Sequence, residues 1–281
     1  MDPYSGRMPH PTKALALIAV ALVPWLFSES SAASQVPEPD VIAFDHSHTQ
    51  WSQVLELFQR EDRIDYQALQ KNREPLDRYL TTLTHVTPEQ YETWNRNQRF
   101  AFWINTYNAF TVHLVVQNYP LESIRDLGTI FNKVWDKRFI PLTRFDPQGK
   151  GRNLSLNDIE HEILRPRFED ARVHAAINCA SIGCPPMRAG AFSAAGLEAE
   201  LDSQVRAWLA DPERNRFDQA KKTMVVSEIF KWFSEDFERD AGSVRDWIVR
   251  YAPPDAAKWL RTEKVRRKYV DYDWSLNDVE R

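Results

Sequence analysis

Residues 98–119 read QRFAFWINTYNAFTVHLVVQNY, and the fold follows from how this run winds. At about 100° per residue, Phe100, Trp103, Ile104, Phe110, Val112, Leu114, Val115 and Val116 cover most of a helix surface. Only a narrow face near Thr106, His113 and Gln117 is left for water, so His113 is expected to be solvated. A helix that is apolar on most faces lies at the centre of its domain. Asn105 and Asn108 fall on the buried surface, and buried amides need partners. Either they bond neighbouring backbone and hold the core in register, or they line a site.

Working outward, helical periodicity recurs at Thr49–Arg60, Glu74–Leu83, Pro88–Asn95, Ser155–Leu164, Ala194–Ala210, Ser227–Arg239 and Ser243–Tyr251. Strand patterns fall at Arg138–Leu142, Arg172–Asn178 and Arg267–Tyr272, with a hairpin over 216–226. Helices outnumber strands, and the strands are scattered among them. The expected class is α+β: one domain over 49–281, its buried central helix packed on a small antiparallel sheet and ringed by helices. Residues 34–48 are expected to be a poorly ordered lead-in.

The first 33 residues read as an export signal: Arg7 and Lys13, an uncharged run Ala14–Phe27, then small residues at Ser31-Ala32-Ala33. The run is shorter than the roughly 20 apolar residues that span a bilayer. The expectation is a periplasmic or secreted protein with no stable membrane insertion once the signal is cleaved. The 281 residues carry 40 acids against 36 bases, a net charge of −4 with a pI near 6.0. Removing the signal takes two acids and two bases and leaves the net charge unchanged. A near-neutral balance argues against nucleic acid as a partner. Two cysteines exclude a disulfide framework and an all-cysteine metal site.

Two carboxylates sit where apolar residues are expected. Leu156, Ile159, Ile163 and Leu164 set an apolar arc with Glu160 near its middle, behind a Ser155–Asp158 capping pair. Ile229, Phe230, Trp232, Phe233 and Phe237 form another arc, with Asp236 inside it. A desolvated carboxylate is either paired or has its pKa raised, which is equally the signature of a site and of a structural ion pair. An arginine such as Arg165 or Arg172 is the structural partner expected for Glu160.

The densest chemistry lies in Arg172–Arg188, RVHAAINCASIGCPPMR. Four readings stay open for its cysteines. Cys179 can be a thiolate nucleophile with His174 taking the proton, provided the chain turns at Asn178–Ser181. Cys179 and Cys184 can close a disulfide across the Gly183 turn, which an oxidising compartment favours. Both can join His174 or His161 in a mixed metal site. Or both are small buried apolar residues.

Ala101-Phe102-Trp103-Ile104-Asn105-Thr106-Tyr107-Asn108-Ala109, then Ile159-Glu160-His161, His174 through Cys184-Pro185, Ile229-Phe230-Lys231-Trp232-Phe233 with Asp236-Phe237, and Tyr272-Asp273-Trp274-Ser275-Leu276-Asn277 form an ordered set. The set resembles the domain-of-unknown-function family number 547 over most of residues 60–277. The resemblance implies a fold distantly similar to papain-like and transglutaminase-like thiol enzymes, in which the nucleophilic cysteine begins the central helix. This chain departs there, because no cysteine lies near residues 95–105.

The expected function is a thiol-dependent hydrolase or acyl transferase acting on an amide of a small peptide or a thiol-containing, glutathione-like molecule. Cys179 is the expected nucleophile, His174 the base and Glu160 the acid that orients it. Asn105, Asn108, Asp236 and Cys184 are expected to line or brace the pocket, and no cofactor or metal is called for. The alternative is a non-catalytic binding module with a structural Cys179–Cys184 disulfide.

Overall fold

The protein is described from a computed structural model, which covers residues 43–129 and 132–279. The proposed signal and residues 34–42 of the proposed lead-in lie outside the described residues. Residues 43–48 are not loose. Both Asp45 carboxylate oxygens accept backbone N–H groups at the start of the first helix, from Ser47 at 2.9 Å and Thr49 at 2.8 Å. His48 is buried, with Nδ1 2.8 Å from the Tyr79 hydroxyl.

Helix α1 (Thr49–Phe58) leads into a two-stranded antiparallel pair, β1 (Gln59–Arg60) and β2 (Arg63–Ile64), and then α2 (Tyr66–Lys71), α3 (Glu74–His85) and α4 (Pro88–Glu92). The central helix, α5, spans Arg96–Asn118. It starts at a capping box: Asn95 Oδ1 accepts the Gln98 N–H at 3.0 Å, and Gln98 Oε1 accepts the Asn95 N–H at 2.8 Å. Every residue from Phe100 to Val112 is buried. The wet face expected near Thr106 is therefore closed; α3 packs along this helix, and half-buried His113 lies 3.9 Å from Asp77 of α3. Among the described residues no helix is long and apolar enough to cross a membrane.

Beyond α5, the Ser155–Asp158 capping pair forms as expected, with Ser155 Oγ accepting the Asp158 N–H at 3.0 Å. The helix it starts then widens into a π-helical stretch over Asp158–Leu164 and tightens again as α6 (Arg165–Phe168). The expected strand at Arg172–Asn178 is instead a single helical turn, α7 (Val173–Ala176). Its alternating pattern carries no information, because Val173 through Asn178 are all buried on both sides. Arg138–Leu142 provides only one isolated bridge, Ile140 to Leu154.

After α8 (Leu197–Ala210) comes a three-stranded sheet in the order β3 (Arg216–Asp218), β4 (Thr223–Ser227), β5 (Arg266–Val270). The hairpin is antiparallel as read, but β5 joins β4 in parallel, so this sheet is mixed. Helices α9 (Ile229–Trp232), α10 (Ser234–Ala241), α11 (Val244–Tyr251) and α12 (Pro254–Thr262) form the crossover between them. The single helix expected over Ser227–Arg239 breaks at Phe233, and Trp232 is left 43% exposed instead of joining the core.

The α+β class stands, with one difference in packing. Helix α5 shares a hydrophobic cluster with α1, α3 and Ile64 of the antiparallel β1–β2 pair. Met224 and Val226 of the three-stranded sheet belong to a second cluster with α8, α9, α10 and α11.

Candidate active site

The segment Ile177 to Pro185 forms one wall of a cavity of about 1490 Å³. Asn178 shapes this wall. Its backbone N–H donates to Asn108 Oδ1 at 2.8 Å, its Nδ2 donates to the Pro185 carbonyl at 3.0 Å, and its Oδ1 accepts the Ala180 N–H at 2.8 Å. Ala180 is held at φ 60°, in the left-handed region that costs a non-glycine residue about 1 kcal/mol or more. Ile182 and Gly183 then donate to the carbonyls of Ser275 and Asp273 at 2.9 and 2.8 Å. Gly183 is required there, since a Cβ would stand 2.9 Å from Asp273 N and from Tyr272 Cδ1.

This turn brings both sulfurs together. Cys179 and Cys184 are free thiols with Sγ atoms 2.6 Å apart. The Tyr272 hydroxyl lies 3.1 Å from Cys184 Sγ and 3.3 Å from Cys179 Sγ, and Ser181 Oγ lies 3.2 Å from Cys179 Sγ. The Cys179 backbone N–H donates to Cys184 Sγ at 3.0 Å. Hydrogen bonding to Cys184, with burial behind it, pushes the Cys179 thiol well above its ordinary value. Burial also opposes ionisation of Cys184, but donation from Cys179, Ser181 and Tyr272 outweighs it and brings that thiol down to about 6. The two sulfurs thus perturb each other in opposite directions, Cys179 upward and Cys184 downward.

His174 lines the same cavity but does not bond Cys179. Its Nε2–H donates to Asp236 Oδ2 at 2.7 Å, and its ring stacks on Phe233 at 4.1 Å. Asp236 also accepts Arg165 Nε at 2.6 Å and Arg239 Nη1 at 2.9 Å. Burial works against this carboxylate, yet His174 and Arg165 hold it far below the usual range. Burial lowers the His174 pKa in spite of Asp236, so the ring rests neutral with Nδ1 as its unengaged nitrogen. The residue that orients His174 is therefore Asp236, not Glu160.

Glu160 faces the cavity from the π-helical stretch and accepts the Tyr107 hydroxyl at 3.3 Å. Burial raises it to about 7, against the pull of the Arg165 charge. Neither expected ion pair forms, because Arg165 goes to Asp236 and Arg172 to Asp170, Glu198 and Asp202. His161 beside it also lines the cavity and accepts Arg165 Nη1 at 2.8 Å. With His174 turned to Asp236 and His161 to Arg165, neither histidine joins the sulfurs, and among the described residues no three metal-ligating side chains converge.

The two asparagines of α5 are braces. Asn105 donates to the carbonyls of Ala101 and Phe192 and accepts the Phe192 N–H at 3.0 Å. Asn108 donates to the Ala176 carbonyl at 2.9 Å while accepting the Asn178 N–H, and so fixes the approach to Cys179. Asn108→Ala leaves two buried backbone groups unpaired. It is expected to lower the unfolding free energy by roughly 2 kcal/mol, measured by urea titration.

Tyr272, Ser181 and Tyr107 are site residues that sequence reasoning does not single out. Each stands inside one of the motifs that carry the resemblance, but a lone hydroxyl carries no signal until its partner is known. The segment 91–209 matches the family described as a protein of unknown function, DUF547. No curated protein and no solved structure matches the chain. The matched segment holds Tyr107, Asn108, Glu160, His174, Cys179 and Cys184, so this part of the site lies in the stretch that is similar to that family.

Proposed function

We propose that this protein is an exported thiol-dependent hydrolase or acyl transferase that opens an amide bond in a small peptide or a thiol-bearing peptide. One observation carries the reading: two sulfurs 2.6 Å apart share a cavity with a histidine held by a carboxylate. Cys179, the less buried of the pair, is the attacking sulfur. As its bond to the carbonyl carbon forms, its proton passes to the Cys184 thiolate. Collapse of the tetrahedral adduct expels the amine, which takes that proton and leaves a thioester on Cys179.

Water or an acceptor amine then attacks the thioester. His174 removes a proton from it at Nδ1, Asp236 stabilises the resulting imidazolium, and the proton ends on the departing Cys179 sulfur. Glu160 keeps its proton up to about pH 7 and is a hydrogen-bond donor for the substrate. The basic start, uncharged run and small residues of 1–33 support the export half of the reading.

Alkylation of the intact protein with iodoacetamide, followed by mass, tests this. One adduct that forms quickly below pH 7 is expected, and Cys184→Ala should move the midpoint of that profile up by at least one pH unit. Cys179→Ala should abolish turnover of a peptide library. Two cysteines that stay inert until a reductant is added would overturn the thiol mechanism and favour a structural disulfide in a binding module.

A further inference from the structure

The cavity wall beyond the sulfurs is built of aromatic rings. Tyr272, whose hydroxyl touches both sulfurs, lies 4.8 Å from Trp232 and 4.5 Å from Trp274 between ring centroids. Trp232 and Trp274 stack at 5.9 Å and 19°, and Trp135 meets Trp274 edge-on at 5.4 Å. All four rings line the cavity. The break at Phe233 turns Trp232 outward, and with Leu57 it is one of two large apolar side chains that are exposed among the described residues.

An exposed aromatic ring in a cavity that also presents polar groups offers a surface for a ligand. Three classes of ring-seeking ligand compete for it. A cation is disfavoured, because the Arg125 guanidinium already sits 5.1 Å over Trp274 and Lys133 lines the same cavity; Arg125 also covers that face of Trp274, so the exposed Trp232 ring is the open platform of the wall. A wholly apolar ligand is disfavoured by Asp126, Asp136 and Asn157 in the same lining. A pyranose meets both requirements. Its C–H face is weakly positive and lies flat on the negative face of an indole, while its hydroxyls point sideways at carboxylate and amide groups. Asp136 and Asn157, both in the cavity lining, are joined at 2.7 Å, Asn157 Nδ2 donating to Asp136 Oδ1.

We infer that the Trp232–Trp274–Trp135 wall is a subsite for an acylamino sugar ring. The inference rests on the thiol acyl-transfer reading only for which bond is opened: a ring seated on the indoles places its acylamino group toward Tyr272 and the two sulfurs. The substrate class is thereby an amide carried on a carbohydrate, such as a sugar-linked peptide.

Titration of tryptophan fluorescence with the trimer of N-acetylglucosamine tests the subsite apart from the chemistry. Saturable binding in the submillimolar range is expected, weakened at least tenfold in Trp232→Ala. Circular dichroism checks that Trp232→Ala is folded. No saturable binding, equal binding by Trp232→Ala, or tighter binding of a tyrosine-containing tripeptide at the same site would each overturn the inference. Sugar binding by a protein whose thiols prove inert would keep the subsite and remove the acyl-transfer mechanism.

Discussion

Asp236→Ala is expected to lower the unfolding free energy by about 3–5 kcal/mol, the usual cost of deleting one member of a buried charge cluster. The buried carboxylate accepts from His174, Arg165 and Arg239 at 2.6 to 2.9 Å. Its removal leaves two guanidinium groups and a fully buried imidazole around an empty centre. The loss reaches beyond the cluster, because Arg165 also holds His161 and lies 5.0 Å over the Phe233 ring. Asp236→Asn keeps the shape but not the charge and should fall between alanine and wild type. Urea midpoints decide the matter, and a wild-type midpoint for Asp236→Ala would show that the cluster contributes little to the fold. Under the mechanism proposed above, both variants also lose the stabilised imidazolium, with a turnover loss of about a hundredfold or more.

The second large effect is on the pH dependence of stability. Glu160 ionises near 4.5 in an exposed setting and near 7 in the folded protein, because burial disfavours its charge. Between those values the native state holds a proton that the unfolded chain has released. Glu160 therefore contributes stability that is fully present below about pH 4.5 and is lost as pH rises through about 7. Each pH unit between the two values corresponds to about 1.4 kcal/mol, so the whole interval amounts to about 3 kcal/mol. Glu160→Gln cannot ionise and removes this component. The stability of the variant relative to wild type should climb by that amount from pH 4.5 to above 7. Parallel urea titrations across the range would contradict this if the two proteins kept a constant difference.

Much of the frame is readable in the sequence. The aromatic and aliphatic run of α5, its need for buried amide partners and the Ser155–Asp158 cap are local statements, decided within a turn or two of helix. The cysteine segment and the embedded acids are also visible, since a charge in an apolar arc is conspicuous in a sequence. Pairing between them is not visible. Asp236 meets His174 across 62 residues, and Tyr272 meets Cys179 across 93. Nothing in the local pattern says which of two buried acids faces which histidine, so the sequence alone assigns Glu160 the role that Asp236 fills. The strand expected at Arg172–Asn178 fails for a related reason: alternation indicates a strand only when one side is wet, and here both are buried. The break at Phe233 is hidden because that ring belongs to His174 and Arg165, partners far away in the chain.

The π-helical stretch Asp158–Leu164 bears on how this region compares with any relative. Such a stretch is an α-helix that has accommodated one surplus residue. Everything after the surplus is rotated by about 100° from where regular winding would put it. Glu160 and His161 therefore reach the cavity while Arg165, four residues on, reaches past it to Asp236. A homologue lacking one residue in 158–164 would wind regularly and present a different side chain to the sulfurs, even if every other letter agreed. For such a homologue a gap of one position inside that helix would be a change of chemistry, whereas the same gap in a surface loop would be only a change of length.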